Sequence, residues 1–165
     1  MAAARAADAG PTVSRLVLAA TLAEERSETQ RFAARARQIA PNNREARLLS
    51  ARVVSGGPSP DDALPALDAL SSGDDRIAMQ AGLLRATVLR NLELTESALA
   101  QTAALVERAP TAPGFLSAWA QRAEGAQRAD LHVAIRERLV AARYDAIVSR
   151  RALALDALRR GDRAA

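Results

Sequence analysis

The sequence predicts an all-α protein in which antiparallel helix pairs stack as a solenoid, and three observations carry this prediction. Apolar residues recur at intervals of three and four, as in Leu48, Leu49 and Val53, and no run alternates in the manner of a strand. Turn-forming residues divide the chain into short pieces. The apolar pattern of one pair of pieces reappears 35 residues later. Because the connections are short, neighbouring helices are expected to be antiparallel.

The N-terminal stretch is predicted to be a flexible tail over residues 1–11, followed by a first helix over 12–23. An early arginine and a short apolar run also fit a signal peptide. Asp8 and Gly10–Pro11 interrupt that pattern, so the tail is the favoured interpretation. Arg15 breaks the best apolar run, and no stretch reaches the roughly 20 apolar residues that a bilayer crossing needs.

Proline, glycine and asparagine clusters mark the remaining helix boundaries. The predicted helices cover 26–40, 43–55, 61–71, 76–92, 95–109, 114–123, 127–143 and 146–160. The acidic pairs Glu24–Glu25, Asp61–Asp62 and Asp74–Asp75 precede or start these helices. Carboxylates at such positions cap free N–H groups and favour the helix dipole, so no acid–base role is needed to explain them.

The helices repeat with a period of 34 or 35 residues. Ala40–Pro41 and Ala109–Pro110 lie 69 residues apart, and the turn at 71–75 falls at their midpoint. Eight apolar positions match at a shift of 35: Leu48, Leu49, Ala51, Val53, Ala63, Leu64, Ala69 and Leu70 with Leu83, Leu84, Ala86, Val88, Ala98, Leu99, Ala104 and Leu105. Steps of 34 from Ala86 reach Ala120 and Ala154.

These residues resemble the tetratricopeptide repeat (TPR) family, whose unit is a helix, a tight turn and a second helix. The resemblance rests on EARLLSARVV followed by DDALPALDAL, and on AGLLRATVLR followed by ESALAQTAALVERAP. It implies a right-handed superhelix of about four helix pairs plus a C-terminal helix. The repeat domain would span 12–163, in units of about 12–41, 42–75, 76–110, 111–144 and a partial 145–163. The chain lacks the family's large aromatics in the first helix, and the unit near 111–143 is degenerate.

A solenoid of this kind has a concave groove, lined by one helix of every pair, that can bind a peptide or a partner helix. At a shift of 35, Glu45 and Arg52 correspond to Gln80 and Thr87. Arg90 and Asn91 continue the same face, so the predicted partner-binding residues are Glu45, Arg52, Gln80, Thr87, Arg90 and Asn91. A merely solvated face is the alternative. The family's clamp for a C-terminal carboxylate is not matched, since Leu48 and Leu83 replace its first basic residue.

The net charge of +4 belongs to the last quarter of the chain. Residues 1–121 hold 13 Arg and 13 acidic residues, whereas 122–165 hold 10 Arg and 6 acidic residues. Arg136, Arg143 and Arg150 are spaced by seven and would form a basic face if one helix ran unbroken from 128 to 160. The favoured alternative is a solvated face, interleaved with Glu137, Asp145 and Asp156. Nucleic acid is not an expected partner, because Lys clusters and stacking aromatics are missing.

The sequence offers no catalytic, cofactor-binding or metal-binding constellation. His132 is the only histidine and the chain has no cysteine, so two-His metal sites and His–Cys pairs are excluded within one chain. His132 is expected to be an interfacial or half-buried packing residue. Phe115 and Trp119, four residues apart, are expected to anchor the degenerate unit, with a protein-contact surface as the alternative.

The C-terminus contains Arg160-Gly161-Asp162, a triplet that animal adhesion receptors bind. The preferred interpretation is a turn after a fifth first-helix, with Asp162 as a cap. The final helix is then either a C-terminal cap of the array or the edge of a segment from a longer protein.

The expected function is a non-catalytic scaffold or adaptor that binds a protein or peptide in the concave groove. A structural or self-assembling subunit, which would be a homo-oligomer, is one alternative, and the repeat domain of a longer enzyme is another. All 23 basic residues are arginine, which indicates the codon bias of a GC-rich bacterial genome. A soluble bacterial protein is expected, with the cytoplasm favoured over the periplasm; the lack of cysteine is compatible with both.

Overall fold

A computed structural model describes residues 12–110, 112–141 and 146–160 of the chain. Within these ranges there are nine α-helices, one short 3₁₀ turn and no strand. The helices are α1 (Val13–Leu22), α2 (Arg26–Ile39), α3 (Arg44–Ser55), α4 (Leu64–Ser71), α5 (Arg76–Asn91), α6 (Thr95–Arg108), α7 (Pro113–Gly125), α8 (Ala129–Ala141) and α9 (Ala146–Arg160). The predicted all-α class is therefore confirmed. The predicted tail 1–11, Arg143 and Gly161–Asp162 lie outside the described residues.

The largest difference between a predicted and an observed helix start occurs at α4. The segment predicted as a single helix over 61–71 begins as a 3₁₀ turn, Pro60–Ala63, and becomes α4 only at Leu64. Pro65 occupies the first turn of α4, where its missing N–H costs no hydrogen bond. Pro60 thus marks the start of the 3₁₀ turn, and Pro65, five residues later, marks the start of α4.

The chain divides into two compact units, residues 1–88 and 89–165, and the boundary lies within α5. In the first unit α1 contacts α2 and α3, α2 contacts α3, and α3 contacts α4. The core that joins α1, α2 and α3 is built from Leu16, Ala19, Ala20, Phe32, Ala33, Ala36, Ala46 and Leu49. Because most of these side chains are alanine, the helices approach closely, and burial of many small groups replaces the aromatic packing that the composition lacks.

Polar side chains fix where α3 and α5 begin. The Asn43 side chain accepts hydrogen bonds from the backbone N–H groups of Glu45 (2.9 Å) and Ala46 (3.1 Å). Asp75 accepts from the N–H of Ala78 at 2.8 Å, which is the capping predicted for an acidic pair. Arg44 forms an ion pair with Asp75. The cap of one helix is thereby tied to the start of the other.

The repeat predicted from the sequence is visible in burial. Ala51 and Ala86 are both buried, as are Ala63 and Ala98. Leu70 and Leu105 are buried as well, whereas Ala69 and its match Ala104 are exposed. Four of the eight matched pairs therefore share a burial class, whereas Leu48, Leu49, Val88 and Leu99 are buried and their matches are half-buried. Ala120 continues the buried series, but Ala154 is exposed.

The second unit packs α6 on α7, α7 on α8, and α8 on α9. Its core consists of Leu99, Val106, Leu116, Ala120, Ala123, Ile135 and Leu139. Phe115 and Trp119 pack against this core, which confirms the expected packing role. The Arg138 guanidinium lies 5.9 Å from the centroid of the Trp119 ring, at cation–π distance.

The turns within two helix pairs share one backbone design. After α5 the N–H of Leu94 donates to the carbonyl of Leu89 at 2.9 Å, and Glu93 has a φ of 62°. Thirty-four residues later the N–H of Arg128 donates to the carbonyl of Ala123 at 2.9 Å, and Gln127 has a φ of 56°. This six-to-one bond over a left-handed residue is the Schellman ending of a helix. The unit whose sequence is degenerate therefore keeps the turn of the repeat.

Candidate functional site: a cavity beside Arg52

The first unit contains a cavity of about 240 Å³ where α1, α3 and α5 meet. Its walls are Val17 and Thr21 of α1, Glu45, Leu48, Leu49 and Arg52 of α3, and Arg76, Ile77 and Gln80 of α5. These three helices are the first members of successive pairs. The cavity therefore lies among the first helices of the pairs, two of which carry the residues predicted to bind a partner.

Three of the six predicted partner-binding residues line this cavity: Glu45, Arg52 and Gln80. Glu45 and Arg52 are seven residues apart, so two turns of α3 bring them to one face, with Leu48 and Leu49 between them. Gln80 reaches the cavity from α5. The structure thus brings together residues that the shift of 35 pairs in the sequence.

Some polar side chains of the cavity walls have a hydrogen-bond partner in the protein, and others have none within the described residues. Glu45 accepts a hydrogen bond from the guanidinium of Arg76 at 2.8 Å. The side chains of Arg52 and Gln80, both exposed, make no hydrogen bond or ion pair within the described residues. The carboxylate of the cavity is therefore already paired, whereas one guanidinium and one amide face solvent without a protein partner.

The other three predicted residues do not line the cavity. Thr87 is half-buried, and its hydroxyl donates to the carbonyl of Leu83 at 3.0 Å. Arg90 and Asn91 are exposed and bond to each other at 3.2 Å. Their part in partner binding stays a prediction.

A second cavity of the first unit, about 330 Å³, shares one wall with the first. Its walls are Glu24, Glu25, Arg26, Thr29, Arg52, Val53 and Gly56. Arg52 is the residue common to both cavities. Arg52 therefore borders both cavities.

Arg122 is a buried arginine of α7, with 6% of its surface exposed, and it lines none of the described cavities. Its guanidinium donates to the carbonyl of Ala118 at 3.0 Å. Burial, and secondarily the charge of Arg90, lowers the pKa of Arg122. A shift of 35 leads from Arg52 to Thr87, and a second shift of 35 leads to Arg122. The repeat therefore indicates that these three residues occupy equivalent positions.

The basic face of Arg136, Arg143 and Arg150, which was not the favoured interpretation, is not supported by the described residues. Arg136 is 7% exposed, and its Nε donates to Nε2 of His132 at 3.3 Å, which removes it from any solvent-facing stripe. Arg150 belongs to α9, which folds back on α8 instead of continuing it. The unbroken helix on which the spacing of seven depended is therefore not what the chain forms.

A cavity of about 360 Å³ lies in the second unit where α9 folds back. Its walls include Glu124, Arg128 and His132 together with Leu155. His132 is half-buried, as expected, and lies 3.9 Å from a carboxylate oxygen of Glu124. Arg128 forms a two-bond fork to Asp130, at 3.2 Å for each bond, which lowers the pKa of the Asp130 carboxyl.

No group of three or more histidine, aspartate or glutamate side chains among the described residues is arranged to hold a metal ion. None of the helices described combines the length and the apolar character that crossing a membrane requires.

Comparison with solved structures finds a TPR-like neighbour. The structure titled "MamA RS-1 ArsTM double mutant" superposes with a TM-score of 0.67 and 16% identity, over 93% of this chain and 87% of that chain. MamA is a TPR-like protein, so the likeness confirms the helix-pair solenoid fold. No family model and no curated protein matches the chain.

Proposed function

We propose that the protein is a non-catalytic scaffold or adaptor that binds a peptide or a partner helix through the cavity beside Arg52. The single observation that carries the proposal is the convergence of Glu45, Arg52 and Gln80 on one cavity of the first unit. Such a surface recognises a partner without reacting with it.

The cavity has the composition that peptide recognition requires. Val17, Leu48, Leu49 and Ile77 offer an apolar lining, into which an aliphatic side chain can transfer from water. Polar groups of Arg52 and Gln80 stand at the edge, where they can fix the orientation of a bound segment. A volume of about 240 Å³ suits one or two side chains, so a partner would extend beyond this cavity along the surface.

Panning a phage-displayed random-peptide library on the immobilised protein tests the proposal. Selected peptides are expected to lose at least about tenfold in affinity for a Gln80→Trp variant, because the indole fills the cavity from an exposed position. Gln38→Trp, at an exposed position of α2 that lines neither cavity of the first unit, is the matched control and should bind normally. Circular dichroism verifies that both variants fold.

The proposal fails if the selected peptides bind Gln80→Trp as tightly as the wild type. It also fails if panning yields no sequence that prefers the wild type over Gln80→Trp. Either result would mean that the cavity is not the binding surface.

A second candidate, a self-assembling subunit, is favoured by an apolar face on α9. Leu155 is 48% exposed and Leu158 is 67% exposed, and the two are three residues apart on one side of the helix. A second copy of the chain could bury this face. Size-exclusion chromatography with light scattering at two concentrations is expected to show concentration-dependent oligomers that Leu158→Glu abolishes; a monomer at both concentrations would rule this candidate out.

A further inference from the structure

We infer that Arg52 recognises an acidic side chain of the bound segment, and that the segment passes over Arg52 from one cavity of the first unit into the other. The inference rests on the proposed function and names its partner class. That class is an extended peptide with aspartate or glutamate two residues from an aliphatic residue.

The charge balance of the first cavity supports an acidic side chain at Arg52, whereas the charged walls of the second cavity, Glu24, Glu25, Arg26 and Arg52, sum to zero. The ionisable walls of the first cavity are Glu45, Arg52 and Arg76, which sum to one positive charge. Arg76 already donates to Glu45 at 2.8 Å, so these two charges largely offset each other. The remaining charge is that of Arg52, which has no hydrogen bond or ion pair within the residues that the structure describes.

The hydrogen-bonding geometry of the guanidinium indicates which chemical group Arg52 would bind. Five N–H donors in a planar fork match a carboxylate with two parallel bonds, and arginine is less strongly hydrated than lysine. The Gln80 amide, on the opposite wall, can donate to a second acceptor of the same segment. A neutral or basic residue at this place would leave Arg52 without a partner on binding.

Because Arg52 lines both cavities, its position also indicates which side chain should accompany the acidic residue in the bound peptide. Leu48, Leu49 and Ile77 line the first cavity on one side of Arg52, and Val53 with the Glu24–Arg26 turn lines the second on the other side. In an extended segment, side chains two residues apart point to the same side. A carboxylate held at Arg52 therefore places an aliphatic side chain two residues away over the apolar lining of the first cavity.

The test uses peptides selected by panning on the wild-type chain, and then measures their binding to Arg52→Gln and Arg52→Glu. The selected sequences are expected to be enriched in Asp or Glu two residues from Leu, Ile or Val. Their affinity should fall about ten- to a hundredfold for Arg52→Gln, the range for a lost hydrogen bond to a charged group, and further for Arg52→Glu. Arg35→Glu, at an exposed position of α2 that lines neither cavity, makes the same change in net charge and should bind normally.

A charge reversal completes the test. Replacing the acidic residue of a selected peptide by lysine should abolish binding to the wild type and restore it to Arg52→Glu. If the peptides lack acidic residues and bind both Arg52 variants normally, yet lose binding to Gln80→Trp, the inference is wrong and the proposed function stands. If they bind Gln80→Trp normally as well, both are wrong.

Discussion

At the scale of single residues, the starts of the helices depend on short side-chain bonds, and Asn43 is the clearest case. Its side chain accepts from two backbone N–H groups of the first turn of α3, the helix that carries Glu45 and Arg52. We expect Asn43→Ala to lower the free energy of unfolding by about 1 kcal/mol, the usual cost of losing such a cap. Asn42→Ala, one residue earlier and exposed, is the control and should change little. Urea unfolding of both variants checks this; equal stability would contradict the capping role.

A second residue-scale prediction concerns pH. The hydrogen bond from the Ala78 N–H, and then the ion pair with Arg44, hold the pKa of the Asp75 carboxyl below its ordinary value of 3.8. The native state thus prefers the carboxylate, so its stabilisation is complete above the unfolded pKa and is lost as the pH falls through the lowered native pKa.

The corresponding measurement compares the wild type with Asp75→Asn. The wild type should melt at a higher temperature at pH 7, and the difference should shrink as the pH falls below about 4. Asp61→Asn is the control, because the Asp61 carboxylate makes no hydrogen bond or ion pair within the described residues. A difference between wild type and Asp75→Asn that is independent of pH would contradict this account.

Residue-scale features were also the hardest to predict from the sequence. The left-handed conformations at Glu93 and Gln127 occur at residues other than glycine, so the usual signal of a Schellman ending was absent. The burial of Arg136 depends on tertiary packing, which no spacing within the sequence reveals. The equivalence of Arg122 to Arg52 and Thr87, in contrast, could have been predicted, because the three positions are spaced by the same 35 residues.

At the scale of helices, close approach depends on small residues at repeated positions. Ala86 has no exposed surface, and its match Ala51 is also buried. We expect Ala86→Leu to destabilise the fold by about 1–3 kcal/mol, because the larger side chain has to displace its neighbours. Ala69→Leu, on the exposed side of α4, is the matched control and should stay within about 0.5 kcal/mol of the wild type. Equal effects of the two substitutions, measured by chemical unfolding, would show that the repeat positions are not contact positions.

Helix bounds were largely predictable for a physical reason. The breakers at Pro41–Asn43 and Ser71–Asp75 supply the caps as well as the turns, so α3 and α5 begin within one residue of the predicted starts. The 3₁₀ turn at Pro60–Ala63 was not predicted, because periodicity does not separate it from the first turn of an α-helix.

At the scale of the whole molecule, the fold could be predicted from the period, whereas the site could be predicted only in part. A shift of 35 placed Glu45, Arg52 and Gln80 on equivalent faces, and the structure assembles these three around one cavity. The cavity itself, and the position of Arg52 between two cavities, follow from how α1, α3 and α5 approach each other. The distances between these three helices are set by side-chain packing, which no single sequence motif predicts.

The most direct test of the account is chemical-shift mapping of the ¹⁵N-labelled chain during titration with a peptide selected by panning. The account predicts that the largest shifts fall on amides of α1 near Thr21, of α3 from Glu45 to Arg52, and of α5 from Arg76 to Gln80. Largest shifts at the cavity of the second unit, on the amides of Arg128, His132 and Leu155, would contradict it.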